Sequence, residues 1–180
     1  WGKTSTLTRA LSLLPAGHAF IWVTADEDDN PQRLLACLAA ALGPLELAWR
    51  VAPHALPTLA DRGLRQAVDE VANALATAEV ERGTIVIDDM HRVKDPRVME
   101  LLRLLLECMP VPHWGMVLSS RTVPDLPLAR WRVCGDLTEF RLEDLRFTEA
   151  DVSALLAAGG ESPGNAGELA SRTEGWAAGL

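Results

Sequence analysis

The residues at the start of the chain have types and a spacing that bind phosphate. Gly2, Lys3, Thr4 and Ser5 open a segment whose leucines repeat at helical spacing, and they match the end of the phosphate-binding loop Gly-x-x-x-x-Gly-Lys-[Ser/Thr]. In that loop glycine lets backbone N–H groups approach phosphate, lysine reaches the β- and γ-phosphates, and the hydroxyl holds Mg²⁺. We expect these four residues to bind nucleotide phosphates, with Thr4 also a ligand of Mg²⁺. The first glycine of the loop and the strand before it are expected upstream of Trp1.

A pair of acids follows an apolar run in the middle of the chain. Residues 84–87 read Thr-Ile-Val-Ile, and Asp88 and Asp89 come directly after them, as in the Walker B element of nucleotide hydrolases. One carboxylate at the end of such a strand holds the Mg²⁺ shell, and a second orients the attacking water. Alone, such a pair is more often a turn and helix cap, but the phosphate-binding residues favour a metal site. We assign Asp88 to Mg²⁺ and Asp89 to hydrolysis.

A third polar segment ends the next predicted strand. Residues 119–122 read Ser-Ser-Arg-Thr and lie at the carboxyl edge, where α/β sheets bind ligands. The forked donors of Arg121 suit paired phosphate oxygens, so Arg121 is a candidate sensor of the γ-phosphate. A surface arginine, or a structural partner for Asp88 or Asp89, explains the same residue equally well.

The remaining polar features indicate less specific chemistry. The acid run at residues 26–29 is predicted to be a solvated helix entrance that offsets the helix dipole. His91 follows the acid pair closely and is a candidate for a water network. Cys37, Cys108 and Cys134 are odd in number and widely spaced, which indicates neither a zinc site nor disulfides and fits a reducing cytosol.

Strand-like and helix-like segments alternate through the first three quarters of the chain. This pattern predicts an α/β fold, a parallel sheet with flanking helices on both faces. Strands are predicted at 20–24, 84–87 and 116–120, with a short edge strand at 138–142. The run at 20–24 is continuously apolar, as in a strand buried on both faces. Asn-Pro at 30–31 and Asp-Pro at 95–96 predict helix starts.

The alternation stops after residue 142, which indicates a change of architecture. We place a domain boundary near residue 146 and expect a P-loop NTPase domain over residues 1–146 that lacks its first strand. Residues 147–180 are expected to be the start of a helical lid module.

The composition fits a globular protein and excludes two classes of partner. Of 180 residues, 48% are hydrophobic and 23% charged, which is ordinary for a folded domain. The net charge of −8 repels polyanions, so this segment is not expected to bind nucleic acid. The longest apolar stretch, residues 34–49, is broken by Gly43 and Pro44 and is too short to span a bilayer. We therefore expect no membrane partner, and we expect a cytoplasmic location.

Six segments, in this order, resemble the nucleotide-binding domain of one family. They are Trp-Gly-Lys-Thr-Ser (1–5), Phe-Ile-Trp-Val-Thr-Ala-Asp-Glu-Asp-Asp-Asn-Pro (20–31), Ile-Val-Ile-Asp-Asp-Met-His (85–91), Leu-Ser-Ser-Arg-Thr (118–122), Asp-Leu-Arg-Phe-Thr (144–148) and Thr-Glu-Gly-Trp-Ala-Ala-Gly-Leu (173–180). Together they are similar to MalT-type regulators, the large ATP-binding members of the LuxR-type transcription factors within the STAND class of signalling NTPases. The resemblance covers nearly the whole chain.

The resemblance implies an ATP-dependent switch. ADP holds a closed monomer, while ATP and a small-molecule or protein inducer favour a form that self-associates and activates transcription. Lys3 and Thr4 would bind phosphate and Mg²⁺, Asp88 would coordinate Mg²⁺, Asp89 would serve a weak ATPase activity, and Arg121 would be the sensor-type arginine. DNA would be bound only by a C-terminal domain outside this chain. Gly-Trp-Ala at 175–177 stands where STAND proteins often carry Gly-x-Pro against the nucleotide base, but the proline is absent.

Two other functions remain open at this point. The same loop serves NTP-dependent kinases, although no acceptor pocket and no catalytic base can be named for one here. A non-catalytic interaction module with a vestigial nucleotide site is the third reading, against which the intact lysine, threonine and paired acids argue. The sequence does not decide between ATP and GTP.

Overall fold

The structure, a computed structural model, describes residues 2–160 and 163–176. The chain divides into two compact units. The larger runs from Leu13 to Pro127, and the smaller joins the segment that ends at Ser12 to the segment that begins at Leu128. The predicted boundary at residue 146 stays a prediction.

Nine α-helices lie within the described residues. They are α1 (Lys3–Ser12), α2 (Pro31–Leu42), α3 (Leu56–Arg62), α4 (Leu64–Ala76), α5 (Pro96–Cys108), α6 (Leu128–Cys134), α7 (Leu142–Leu145), α8 (Glu149–Ala158) and α9 (Ala166–Arg172). The predicted starts of α2 and α5 are confirmed, because Asn30 and Asp95 cap them with side-chain oxygens that accept the backbone N–H groups of Arg33 and Arg97, each at 2.9 Å.

The larger unit contains a parallel sheet. Its strands are β1 (His18–Thr24), β2 (Arg82–Asp88) and β3 (Trp114–Leu118), in the order β1-β2-β3. Val23 of β1 pairs with Ile87 of β2, and Ile87 pairs with Leu118 of β3, so the three strands end together. Helix α2 packs against β1 and α3, and α4 packs against α3 and α5. The predicted α/β fold, a parallel sheet with flanking helices, is confirmed.

The core of this unit lies between the sheet and its helices. Ile21 and Ile85 on the strands are at most 3% exposed, and Leu38, Leu101 and Leu102 on the helices are fully buried. The prediction that β1 is buried on both faces is wrong, because Phe20 is 54% exposed. Successive strand residues point to opposite faces of a sheet, so a continuous apolar run does not by itself require two covered faces.

Local hydrogen bonds define the smaller unit. Helix α8 starts with a capping box, in which Asp151 N–H donates to the Thr148 hydroxyl and Thr148 N–H donates to the Asp151 carboxylate at 2.8 Å. The predicted edge strand at 138–142 is wrong. Residues 136–141 form no regular element, and Leu142 begins α7, where the Asp144 carboxylate accepts the Arg141 N–H at 2.7 Å.

Candidate functional site

The carboxyl ends of the three strands form one polar edge in the larger unit. Asp88 is the last residue of β2 and pairs with Thr24 of β1, while Ser119 follows β3 directly. Three backbone hydrogen bonds join the chain beyond the strands: Ala25 N–H to Asp88 O (2.8 Å), Ser119 N–H to Ile87 O (2.9 Å) and Met90 N–H to Ser119 O (2.9 Å). This edge, where parallel sheets bind ligands, therefore holds Asp88 and Ser119 on neighbouring strands.

Both of these polar residues are buried. Asp88 is 2% exposed and its Oδ1 accepts the N–H of Asp89 at 3.0 Å, while Ser119 is 4% exposed. Within the described part of the chain, Ser119 Oγ has no hydrogen-bond partner. A buried hydroxyl without a partner is costly, and in native proteins such a group marks the place of a water, an ion or a ligand. The sequence signal for Ser119 was its position directly after an apolar strand, but its burial was not predicted.

Asp89 begins the turn that follows β2. Its backbone is left-handed, with φ 57° and ψ 34°, a conformation that costs residues other than glycine about 1–3 kcal/mol and that aspartate adopts more readily than most. The turn continues as a 3₁₀ helix, Met90–Arg92, in which Arg92 N–H donates to Asp89 O at 2.9 Å. The Asp89 side chain is partly exposed, whereas Asp88 is buried. The two acids therefore occupy different environments, and their predicted roles stay predictions.

His91 lies next to Asp89 on this turn. Its Nδ1 is 3.8 Å from Asp89 Oδ1, and its side chain is 18% exposed. Within the described residues Nδ1 is buried and makes no hydrogen bond. The predicted water network around His91 stays a prediction.

The acid run at residues 26–29 is more ordered than predicted. Asp29 is 4% exposed, and its carboxylate accepts the Asp26 N–H at 2.7 Å and lies 3.3 Å from Arg33 Nε. The prediction of a solvated helix entrance is therefore wrong for Asp29. A buried carboxylate needs such donors to stay charged, and spacing in the sequence does not show them.

Ion pairs join this acidic loop to the segment after β2. Arg92 Nη2 lies 3.2 Å from Asp26 Oδ1, and Lys94 Nζ lies 2.7 Å from Glu27 Oε2. The hydrogen bond from Lys94, followed by its charge, lowers the pKa of Glu27, and the same bond raises the pKa of Lys94. The loops after β1 and β2 are thus connected on the outer side of the polar edge.

Arg121 lies exposed beyond β3. Its side chain makes no hydrogen bond or ion pair with any residue that the structure describes, so the structure does not show it as a partner of Asp88 or Asp89. The role of Arg121 as a phosphate sensor stays a prediction.

The phosphate-binding residues belong to the smaller unit. Gly2 has a φ of 68°, in the region that glycine favours, and its carbonyl accepts the Thr6 N–H at 2.8 Å at the start of α1. Lys3 is the first residue of this helix, so the helix start is where the sequence predicts it. The roles of Gly2, Lys3, Thr4 and Ser5 stay predictions.

Two segments of the family resemblance meet in the smaller unit. Phe147 N–H donates to Gly175 O at 2.9 Å, and Arg146 Nη2 lies 3.6 Å from Glu174 Oε2. Gly175 has a φ of 70°, and a Cβ there would lie 2.6 Å from Phe147 O, so only glycine fits. Trp1, Ala177 and the rest of the 173–180 segment after Trp176 lie outside the described residues.

The next two observations concern metal-ligand clusters and membrane-spanning helices. Among residues 2–160 and 163–176, no three His, Cys, Asp or Glu side chains converge as metal ligands. The same part of the chain contains no helix long and apolar enough to cross a membrane.

Comparison with known families places the chain. The family described as AAA domain matches residues 1–118, which include the phosphate-binding residues and the acid pair. The chain belongs to the AAA domain family. It is therefore a P-loop NTPase domain, in agreement with its parallel sheet and the acids at the end of β2.

Relatives of this AAA domain occur in two kinds of protein. The serine/threonine-protein kinase PknK of Mycobacterium tuberculosis is 30% identical over 179 residues, which cover 91% of this chain and 15% of PknK. The HTH-type transcriptional regulator MalT of Serratia proteamaculans is 28% identical over 191 residues, covering all of this chain and 20% of MalT. MalT of Yersinia pestis is 29% identical over 99 residues, covering 53% of this chain and 11% of that protein.

The resemblance to the NTPase domain of MalT-type regulators is confirmed. The chain spans no more than about a fifth of the length of these curated relatives. The matched segment is shared by proteins named as a kinase and as transcriptional regulators.

Proposed function

We propose that this AAA domain is an ATP-binding, slowly hydrolysing switch in a MalT-like regulator of the STAND class. The observation that supports the proposal most is the buried Asp88 carboxylate at the end of β2, followed by the left-handed Asp89. An acid pair with only a structural role could lie in an exposed surface turn. A carboxylate buried beside an unpartnered Ser119 hydroxyl fits a site that a polar ligand completes.

The chain provides donors for both parts of a magnesium nucleotide. Lys3, Thr4 and the backbone at Gly2 and Ser5 bind the phosphates in this proposal, and Thr4 and Asp88 hold Mg²⁺. The buried Asp88 carboxylate fits Mg²⁺, which is usually bound by one or two carboxylates together with substrate phosphates. When bound, Mg²⁺ neutralises charge on the transferred phosphoryl group.

Asp89 is proposed to orient the attacking water. In hydrolysis the oxygen of one water bonds to the γ-phosphorus, and the bond between the γ-phosphorus and the bridging oxygen breaks. The products are ADP, inorganic phosphate and a proton. The partly exposed Asp89 carboxylate is an acceptor for a proton of that water. Arg121 is exposed and, among the described residues, holds no partner, so it is available to bind the γ-phosphate. Slow turnover suits a switch, because the ATP state must persist while it signals.

The regulatory context follows from the resemblance to MalT-type regulators. In a MalT-like protein, ATP and an inducer would favour self-association in the cytoplasm, and a separate domain would bind DNA. The kinase alternative is supported by the likeness to PknK. The same segment is similar to a transcriptional regulator, so we assign this AAA domain nucleotide binding and no kinase activity of its own.

The binding part of the proposal is tested with the two lysines of the chain. Lys3→Ala should weaken the binding of ATP with Mg²⁺ by at least about 10-fold, because a charged donor to phosphate is lost. Lys94→Ala is the matched control, since Lys94 is exposed and pairs with Glu27. Fluorescent ATP titrations of the native protein that contains this chain give both dissociation constants. Equal affinity of Lys3→Ala and wild type would refute the phosphate-binding role, and no ATP binding by wild type would favour the non-catalytic module.

The hydrolytic part is tested at Asp89. Asp89→Asn should retain ATP binding and lower single-turnover hydrolysis by about 100-fold, because a positioned proton acceptor is lost. Asp28→Asn is the control, since the Asp28 side chain is 80% exposed on the neighbouring acidic loop. Equal hydrolysis rates in Asp89→Asn and wild type would contradict the role of Asp89.

A further inference from the structure

His91 is a buried polar group that the proposed function does not use. Its side chain is 18% exposed, and its Nδ1 is buried without a hydrogen-bond partner among the described residues. An imidazole nitrogen always has a hydrogen to donate or a lone pair to accept with. A buried nitrogen that does neither is costly. We therefore expect His91 Nδ1 to gain a hydrogen-bond partner in the functional state.

The Asp89 carboxylate lies close to this nitrogen. His91 Nδ1 and Asp89 Oδ1 are 3.8 Å apart, which is about 0.8 Å longer than a good N–H···O hydrogen bond. Hydrogen bonds at catalytic sites are often long before substrate binds and shorten afterwards.

The backbone that carries His91 is held on both sides. Before it, Met90 is 2% exposed and its N–H donates to Ser119 O at 2.9 Å. After it, Arg92 N–H donates to Asp89 O, and Arg92 Nη2 lies 3.2 Å from Asp26 Oδ1. The backbone at His91 is therefore held beside Asp89 by the core and by the acidic loop, as the support of an orienting residue requires.

We propose that His91 is a positioning residue for hydrolysis: its Nδ1–H holds one oxygen of the Asp89 carboxylate so that the other oxygen faces the attacking water. The inference rests on the hydrolytic role proposed above for Asp89. His91 itself touches neither the water nor the nucleotide. Its loss should therefore lower the rate of hydrolysis and leave nucleotide affinity unchanged.

Two substitutions separate the N–H group from the shape of the ring. His91→Phe keeps a planar ring but has no donor, and it should lower single-turnover ATP hydrolysis by about 10-fold, the lower range for groups that orient a functional side chain. His91→Asn places an amide N–H near the position of Nδ1 and should restore most of the rate. ATP dissociation constants should stay within about twofold of wild type in both variants, since uniform binding is not affected. His54→Phe, at an exposed position elsewhere, is the control.

A double variant tests whether His91 acts through Asp89. If it does, His91→Phe should have no further effect in an Asp89→Asn background, because residues that act as a unit are non-additive. Full activity in His91→Phe, equal loss in His91→Phe and His91→Asn, or additive losses in the double variant would each overturn the inference.

The outcome also separates this inference from the proposed function. Asp89→Asn with an undiminished rate contradicts the proposed function itself. A slow Asp89→Asn together with a fully active His91→Phe leaves the proposed function standing and removes only the positioning role. All rates are measured in the native protein that contains this chain, with inorganic phosphate release as the readout.

Discussion

The two units of the molecule are stabilised in different ways. The larger unit buries leucines, isoleucines and valines on β1, β2, α2, α4 and α5, and Trp114 on β3. In the described part of the smaller unit, Val152 and Ala166 are the buried hydrophobic residues. The smaller unit depends instead on specific hydrogen bonds, such as the Thr148–Asp151 capping box and the Phe147–Gly175 bond. A core resists opening as a whole, whereas a few specific contacts can be released one at a time.

The difference has a consequence for function. Asp88, Asp89 and His91 are carried by the larger unit and are anchored to its core through β2 and Met90. Lys3 and Thr4 belong to the smaller unit. The proposed switch needs groups held by a core and a part that changes more easily. Asp88 and Asp89 are attached to the core of the larger unit, and the smaller unit has fewer buried hydrophobic residues among those described.

The largest expected effect comes from deleting a core side chain. Leu102 of α5 is fully buried, so Leu102→Ala should lower the free energy of unfolding by about 2–5 kcal/mol. Leu155→Ala on α8 removes the same atoms from a side chain that is 45% exposed, and it should cost far less. Denaturant titration of both variants measures the contrast. Equal losses would show that the two units do not differ in the way described.

The sheet and its helices could be predicted from the sequence because their signals are local. Asn30-Pro31 and Asp95-Pro96 fix two helix starts, and apolar runs mark the three strands. Which face of a strand is buried was harder to predict, as Phe20 shows. When both faces carry apolar residues, the sequence does not show the alternation of apolar and polar residues that identifies the buried face. The false strand at 138–142 shows the same limit, since β-forming residues without a neighbouring strand have no hydrogen-bond partners.

The candidate site was predictable in its residue types and not in its contacts. Asp88 and Asp89 stand out because they directly follow an apolar strand in a chain that also carries the phosphate-binding residues. The burial of Ser119 and Asp29 and the proximity of His91 to Asp89 depend on which turns bring distant segments together. The pairs Arg92–Asp26 and Lys94–Glu27 join residues more than 60 positions apart, and no pattern within one segment contains that information.

A smaller loss of stability is expected for Gly175→Ala. Comparison with Gly160→Ala separates the effect of the contact with Phe147 from that of backbone strain. Gly175 and Gly160 both have positive φ, 70° and 78°, but a Cβ would meet Phe147 O at 2.6 Å at Gly175 and open space at Gly160. Each alanine variant carries about 1–2 kcal/mol of backbone strain, and Gly175→Ala also breaks the contact with Phe147. Hydrogen exchange at the Phe147 amide should accelerate in Gly175→Ala alone. Equal acceleration in Gly160→Ala would mean that strain, not contact, controls this region.

The smallest expected effect concerns the helix cap at Asp95 and its dependence on pH. The hydrogen bonds from Arg97 side chain and backbone lower the pKa of Asp95 below its ordinary value of 3.8. Because the folded pKa is the lower one, the charged form stabilises the fold above pH 3.8, and this contribution is lost as the pH falls through the folded pKa. Asp95→Ala removes the cap and should cost about 1 kcal/mol at neutral pH.

Asp95→Asn is the sharper variant, because asparagine also caps helices but does not titrate. It should be nearly as stable as wild type below the folded pKa of Asp95 and slightly less stable above pH 3.8, so the slope of unfolding free energy against pH becomes shallower between these two values. Asp151, whose pKa is lowered by Thr148 in the smaller unit, is the counterpart. Asp151→Asn should flatten the pH dependence of hydrogen exchange in α8 and leave that of α5 unchanged. A change in α5 as well would show that acid opens the two units together.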